Sequence, residues 1–165
     1  MDTSGIIMVA KTSFAQANLS AQMQSGEVDK RYLALVFGAF ENPIGTINLP
    51  IGRPFLDEVS RAVMQDGQES ITHYSVIRTF SNNTFSLLSI KLETGRTHQI
   101  RVHMSHIGHP IVGDYLYGGD FPTLMYRQAL HAEYISFNHP TGKNRIELKA
   151  PLPGDIKTAI EKLSK

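Results

Sequence analysis

Apolar residues fall along this chain in short runs that predict strands more often than helices. Gly5 to Ala10 reads as a short buried strand, and Tyr32 to Phe37 (Y-L-A-L-V-F) as a second, closed by Gly38. Residues 71–79 and 84–92 predict two strands joined at Ser81-Asn82-Asn83, residue types that favour turns, and hence a hairpin. Residues 130–137 and 144–149 predict a second hairpin around His139-Pro140-Thr141-Gly142. Residues 44–70 are punctuated by Gly45, Pro50, Gly52, Pro54 and Gly67 and predict irregular structure.

Helical spacing is confined to short stretches. Thr12 or Ser13 is placed to cap a helix running to about Gln24, with Ala15, Leu19 and Met23 on one face and Gly26 as the stop. A second helix is expected from about Thr97 to Ile107, burying Ile100, Met104 and Ile107, with Gly108 ending it and Pro110 preventing continuation. A third is expected over Asp155 to Lys162. Strands joined mostly by hairpins give an α+β class: a mixed, largely antiparallel sheet flanked by short helices. With no repeat or long linker, one domain over residues 1–165 is the expectation.

Composition narrows the chemistry. The chain is 41% hydrophobic, enough for a core, so a disordered tail is excluded. The net charge of +1 means that any nucleic-acid site must be a local basic patch. No cysteine is present, which removes disulfides, thiolate metal sites and cysteine catalysis. The first apolar run, Ile6 to Ala10, is far shorter than the ~20 residues of a spanning helix and has no basic leader before it. No membrane partner and a cytoplasmic location are expected.

Polar groups crowd Thr94 to Asp114, T-G-R-T-H-Q-I-R-V-H-M-S-H-I-G-H-P-I-V-G-D. Arg96 stands at a strand-to-helix turn, where it is well placed to be held rigidly. His98 and Arg101 share a helix face. Backbone N–H groups at a helix start favour anions, and arginine adds a two-pronged fork for phosphate or carboxylate. An anion or nucleic-acid site is the direct reading. A zinc site from His98, His103, His106 and His109 is an alternative, but the spacing matches no familiar zinc motif and the arginines would repel a cation. A solvated helix face with incidental histidines is the bland reading.

The T-G-R-T-H-Q-I-R-V-H run, followed by G-H-P-I-V-G-D, closely resembles the signature of the RluA-type RNA pseudouridine synthases. Lys30 to Gly38 (K-R-Y-L-A-L-V-F-G) resembles that family's strand with an active-site tyrosine. Met1 to Ile6 resembles the tail of its H-R-L-D-x-x-T-S-G motif, and Pro50-Ile51-Gly52-Arg53 and Leu130-His131-Ala132 add weaker likenesses. The resemblance implies isomerisation of uridine to pseudouridine in ribosomal or transfer RNA, without metal or other cofactor. It gives Arg96 the role of partner to the nucleophilic aspartate and Tyr32 that of packing on the target uracil, the two in one cleft. Lys30, Arg53, His98, Arg101 and His103 are expected at the RNA backbone or in support of the site. In the motif's register the nucleophile falls immediately before Met1, so an N-terminally incomplete catalytic domain is expected, with Asp2 two positions out of register. The rival readings are an inactive RNA-binding domain and a His-cluster metal hydrolase.

Overall fold

The computed structural model describes residues 2–54, 59–80, 82–142 and 144–164. Its centre is a mixed sheet built from two hairpins. Strands β6 (Ile71–Phe80) and β7 (Phe85–Leu92) form the first. Asn82 and Asn83 between them have φ of 51° and 71°, the left-handed conformation that asparagine tolerates best after glycine; Ser81 lies outside the described residues. Strands β8 (Leu130–Asn138) and β9 (Arg145–Lys149) form the second. In its turn His139 Nδ1 accepts from the backbone N–H groups of Thr141 and Gly142. Strand β2 (Asp29–Phe37) lies antiparallel between β7 and β8 and joins the hairpins. The edge strand β3 (Ile44–Asn48) pairs with β6, and β1 (Ser4–Gly5) lies parallel to β8 beside β9.

Three helices complete the described fold: α1 (Ser13–Gln24), α2 (Gln99–His106) and α3 (Gly154–Leu163). The core joins Ala34 and Val36 of β2 and Leu88 and Ile90 of β7 to Ile100 and Met104 of α2, all nearly inaccessible to solvent. Ile156 and Ala159 of α3 belong to the same cluster. Among the described residues no helix is long and apolar enough to cross a membrane.

Three expectations need correction. Only Ser4–Gly5 of the first run forms ladder, and Ile7 and Val9 are 81% and 72% exposed, because just one side of the extended segment packs, through Ile6, Met8 and Ala10. Helix α1 is capped by the Thr12 side chain as its sequence suggests, but it buries Leu19 and Gln22 and leaves Met23 exposed. The cause is a polar clamp: Gln22 donates through Nε2 to the Asn138 carbonyl and accepts through Oε1 from the Asn138 N–H. Residues 44–70 are not irregular throughout. They hold β3 and a small ladder of β4 (Ile51–Gly52) with β5 (Ala62–Val63). The open edge of β6 extends Ile44–Asn48 despite its Gly45 and Asn48, and Gly45 leaves the space that the Tyr74 side chain occupies.

Candidate active site

Helix α2 begins two residues later than its sequence suggests because His98 takes a left-handed conformation, φ 58°. Such backbone is uncommon outside glycine and asparagine and must be held by its surroundings. Gln99, almost fully buried, supplies part of the hold. Its Oε1 accepts from the Arg96 N–H and from the Thr94 hydroxyl, each at 2.9 Å, and Thr94 Oγ1 in turn accepts from the Ile71 N–H at 2.8 Å. Its Nε2 donates to the Ile71 carbonyl and to Thr72 Oγ1, each at 3.0 Å. One amide thus fastens the Thr94–Arg96 turn to the start of β6.

Beside that turn a cavity of about 400 Å³ is lined by Arg53, Arg61 and Arg96, with Asp66 and the glycines Gly52, Gly67 and Gly95. Arg96 is exposed, and its Nε donates to the Glu69 carbonyl at 3.1 Å. Arg53 and Arg96, both singled out in the sequence, therefore share one wall, and Arg61 joins them unannounced.

Beside this cavity lies a second network, centred on Tyr117. Its hydroxyl accepts from the Arg61 backbone N–H at 2.9 Å and meets His98 Nδ1 at 2.8 Å. Burial, reinforced by the positive charges of Arg101 and Arg61 and partly opposed by Asp114, holds His98 below its ordinary pKa. A neutral His98 accepts the phenol proton at Nδ1, so one hydroxyl serves both neighbours. The Arg101 guanidinium stacks 4.8 Å from the Tyr117 ring centroid and grips the buried Asp114. Burial alone would lower the Arg101 pKa, but the hydrogen bonds and charge of Asp114 more than offset it and raise it.

The start of the chain is held by Arg127, whose Nη1 donates to the Asp2 backbone carbonyl at 2.8 Å. Thr3 and Ser4 are tied to Gln128 and His131.

Tyr32 does not line the arginine cavity. It sits opposite Ala132 on β8, which in turn faces Gly5 on β1, so Tyr32 and the chain's first strand share a cross-strand row. The phenol is half-buried, and that burial raises its pKa. Lys30 lies two residues earlier on the same face of β2, where a Cβ placed on Gly95 would stand 3.2 Å from its Nζ. Burial lowers the pKa of this ammonium.

His103 is buried, with Nε2 donating to the Leu49 carbonyl and Nδ1 paired with the Thr72 hydroxyl, each at 2.9 Å. Direct contact with RNA does not fit that burial, and support of the site is the role that remains. The other histidines face elsewhere. His109 donates from Nδ1 to the Phe37 carbonyl and stacks on Phe40, and His106 is exposed. Among the described residues no group of three or more metal-binding side chains converges.

Sequence reading missed Gln99, Asp114, Tyr117 and Arg61. Gln99 carried a signal, since it lies one turn before His103 and marks a polar stripe on the buried side. Asp114 closes the G-H-P-I-V-G-D run without its pairing to Arg101 being readable there, and nothing local announced Tyr117 or Arg61.

Comparison with known proteins follows the same residues. The family model described as RNA pseudouridylate synthase matches residues 1–106. An uncharacterized RNA pseudouridine synthase of Bacillus subtilis, YjbO, is 46% identical over 160 residues, covering 97% of this chain and 56% of that protein. The ribosomal large subunit pseudouridine synthase D of Pseudomonas aeruginosa is 44% identical over 168 residues, covering 94% and 52%. The chain spans about half the length of these relatives. Among solved structures, human RNA pseudouridylate synthase domain containing 1 superimposes with a TM-score of 0.73 at 28% identity, covering 92% of this chain and 66% of that one.

Proposed function

Because this chain belongs to the RNA pseudouridylate synthase family, as the match over residues 1–106 establishes, we propose that it isomerises uridine to pseudouridine in structured RNA. The substrate of this reading is ribosomal or transfer RNA, modified in the cytoplasm. The relatives named for the large ribosomal subunit favour ribosomal RNA. The observation that carries the proposal is the cross-strand row that sets Tyr32 beside Gly5 of the first strand, whose preceding residues are held by Arg127 through the Asp2 carbonyl and the Ser4 hydroxyl.

The reaction breaks the N-glycosidic bond, turns the uracil and joins its C5 to the ribose C1′, the C5 proton being lost and N1 taking one up. It needs a carboxylate beside the ribose C1′, a flipped base and a site that excludes water. In the motif's register that carboxylate belongs immediately before Met1. Arg101 is taken as its partner, since Arg96 is turned to the Glu69 carbonyl and the wall of the arginine cavity. A fixed cation keeps such a carboxylate ionised in a partly dry site. Tyr32 gives the uracil an aromatic face, and base stacking of this kind is worth roughly 1–3 kcal/mol, comparable to the cost of unstacking the base. Its raised pKa keeps the phenol protonated at neutral pH. Lys30, Arg53, Arg96 and His98 supply the RNA-facing groups, and no cofactor or metal enters the proposal.

The test is pseudouridine formation on bulk RNA from a strain lacking the enzyme, detected by chemical labelling. A version extended upstream to carry H-R-L-D is expected to be active, and aspartate to asparagine at that added position to abolish activity. Turnover by the 165-residue chain that is lost in Asp2→Asn would instead make Asp2 the nucleophile.

A further inference from the structure

Tyr117 lies along one face of α2 and touches it at His98, Arg101 and Ser105. Its hydroxyl meets His98 Nδ1 at 2.8 Å, its ring centroid stands 4.8 Å from Arg101 Cζ, and its backbone carbonyl accepts from Ser105 Oγ at 2.8 Å. The spacing of those residues stacks side chains on one helix face. The turn that brings Tyr117 there also brings Asp114, whose carbonyl accepts from the Tyr117 and Gly119 N–H groups at 3.2 and 2.8 Å. The same turn therefore takes hold of Arg101 in two ways. Asp114 grips the guanidinium by its edge, through Nε and Nη2, and Tyr117 covers its face. An edge contact alone leaves a planar fork free to tilt about the line of its hydrogen bonds, and a ring against its face stops that tilt. Asp114 uses only part of the N–H groups that a guanidinium carries, which leaves the Nη1 end for a second anion.

We infer that Tyr117 is a positioning residue for the reaction: it fixes the plane of the Arg101 guanidinium, so that the Nη1 end is already aimed when the reacting carboxylate meets it. The inference rests on the reading above that Arg101 is that carboxylate's partner. The ring does the positioning. The hydroxyl, tied to the Arg61 backbone N–H and to His98, holds the ring in place. A cation set in advance spares the reorganisation that a mobile one would need during the reaction.

The first measurement uses the 165-residue chain itself. The Arg101 Nε–H resonance is followed by NMR and assigned by its absence in Arg101→Lys. Tyr117→Leu takes the ring from the guanidinium and is expected to shift this resonance and to speed its exchange with water. Tyr117→Phe keeps the ring and should leave the resonance near its parent position. Tyr117→Met, which also lacks a ring, is run beside the leucine variant so that the comparison stands should that one fail to fold. The second measurement is pseudouridine formation by whichever protein of the preceding test turns over, the 165-residue chain or its extension. Tyr117→Leu is expected to lower kcat roughly 10-fold or more, toward the roughly 10²-fold cost of a ~1 Å misplacement. KM should stay within about twofold, as for an interaction made in the transition state. Tyr117→Phe should recover most of the loss. In an Arg101→Lys background Tyr117→Leu should cost little more, the non-additivity of residues that act through one another. A resonance indifferent to loss of the ring, a parent kcat in Tyr117→Leu, a phenylalanine variant as slow as the leucine one, or effects that add to those of Arg101→Lys overturn the inference. The enzymatic reading fails separately, on the absence of turnover by either parent protein, and the resonance then decides alone whether Tyr117 sets Arg101.

Discussion

Arg101 grips Asp114 with two parallel hydrogen bonds, Nε to Oδ2 at 2.6 Å and Nη2 to Oδ1 at 2.7 Å, and the carboxylate is wholly shielded from solvent. Removing one partner of such a pair leaves the other charge unmatched, at a cost of roughly 3–5 kcal/mol. Asp114→Ala is therefore expected to lower the thermal midpoint by on the order of 10 °C, as a domain of this size loses about 2–4 °C per kcal/mol. Differential scanning calorimetry checks it. A loss within about 1 kcal/mol, the scale of an exposed pair, would show that the bridge does not anchor α2 to the following loop.

Arg101 and Arg96 separate in a catalytic assay. In an active, upstream-extended protein, Arg101→Lys is expected to cut kcat by roughly 10²-fold or more, since a point charge on a flexible stem cannot hold the two-pronged geometry. Arg96→Lys is expected to act mainly on KM. Equal kcat losses from the two substitutions would remove the distinction drawn between them.

Gln99 makes four hydrogen bonds from one side chain, with Thr94, Arg96, Ile71 and Thr72. Gln99→Leu preserves approximate bulk but strands several buried polar groups, each worth about 1–3 kcal/mol. A destabilisation of at least ~2 kcal/mol is expected on that basis in urea denaturation, with faster hydrogen exchange at the Arg96 amide. An unchanged exchange rate there would mean that the turn is held by something else.

Stability should fall in acid. His103 and His98 both have pKa values lowered from the ordinary 6.5, chiefly by burial. The unfolded chain then binds more protons than the folded one between the lowered values and 6.5, and stability rises with pH in that window. The contribution is complete above the unfolded value and is lost as pH falls through the folded ones. Thermal midpoints from pH 7.5 down to pH 5 should show the decline, with a shallower decline in His103→Gln. An identical slope in that variant would assign the effect to other groups.

The elements that sequence made legible are those whose local pattern agrees with their environment. The hairpin at Asn82-Asn83 declared itself because the turn residues and the flanking strands agree. Strand β3 did not, because Gly45 and Asn48 have little intrinsic tendency to extend and only the neighbouring edge of β6 makes them do so. For the site, the motif segment identified the turn and α2, and Arg53 was found on the same cavity wall as Arg96. The identity of the groups that Arg101 and Arg61 meet was not legible. Asp114 and Tyr117 lie 13 and 56 positions away from them, and both come from a loop with no regular pattern.

The tie of Ser4 to His131, across 127 positions, gives the proposed reaction centre a place in time as well as in space. The two hairpins, and the pairing of β2 with β7, close over much shorter separations than β1 does. Loop closure over so long a span is entropically unfavourable until the partner strand is already formed, and contacts of high sequence separation form slowly. The residues of β1 are thus among the last of this fold to find their place, and they dock only after β8 exists. Folding intermediates would therefore carry the hairpins before the row that joins Gly5, Ala132 and Tyr32 is complete.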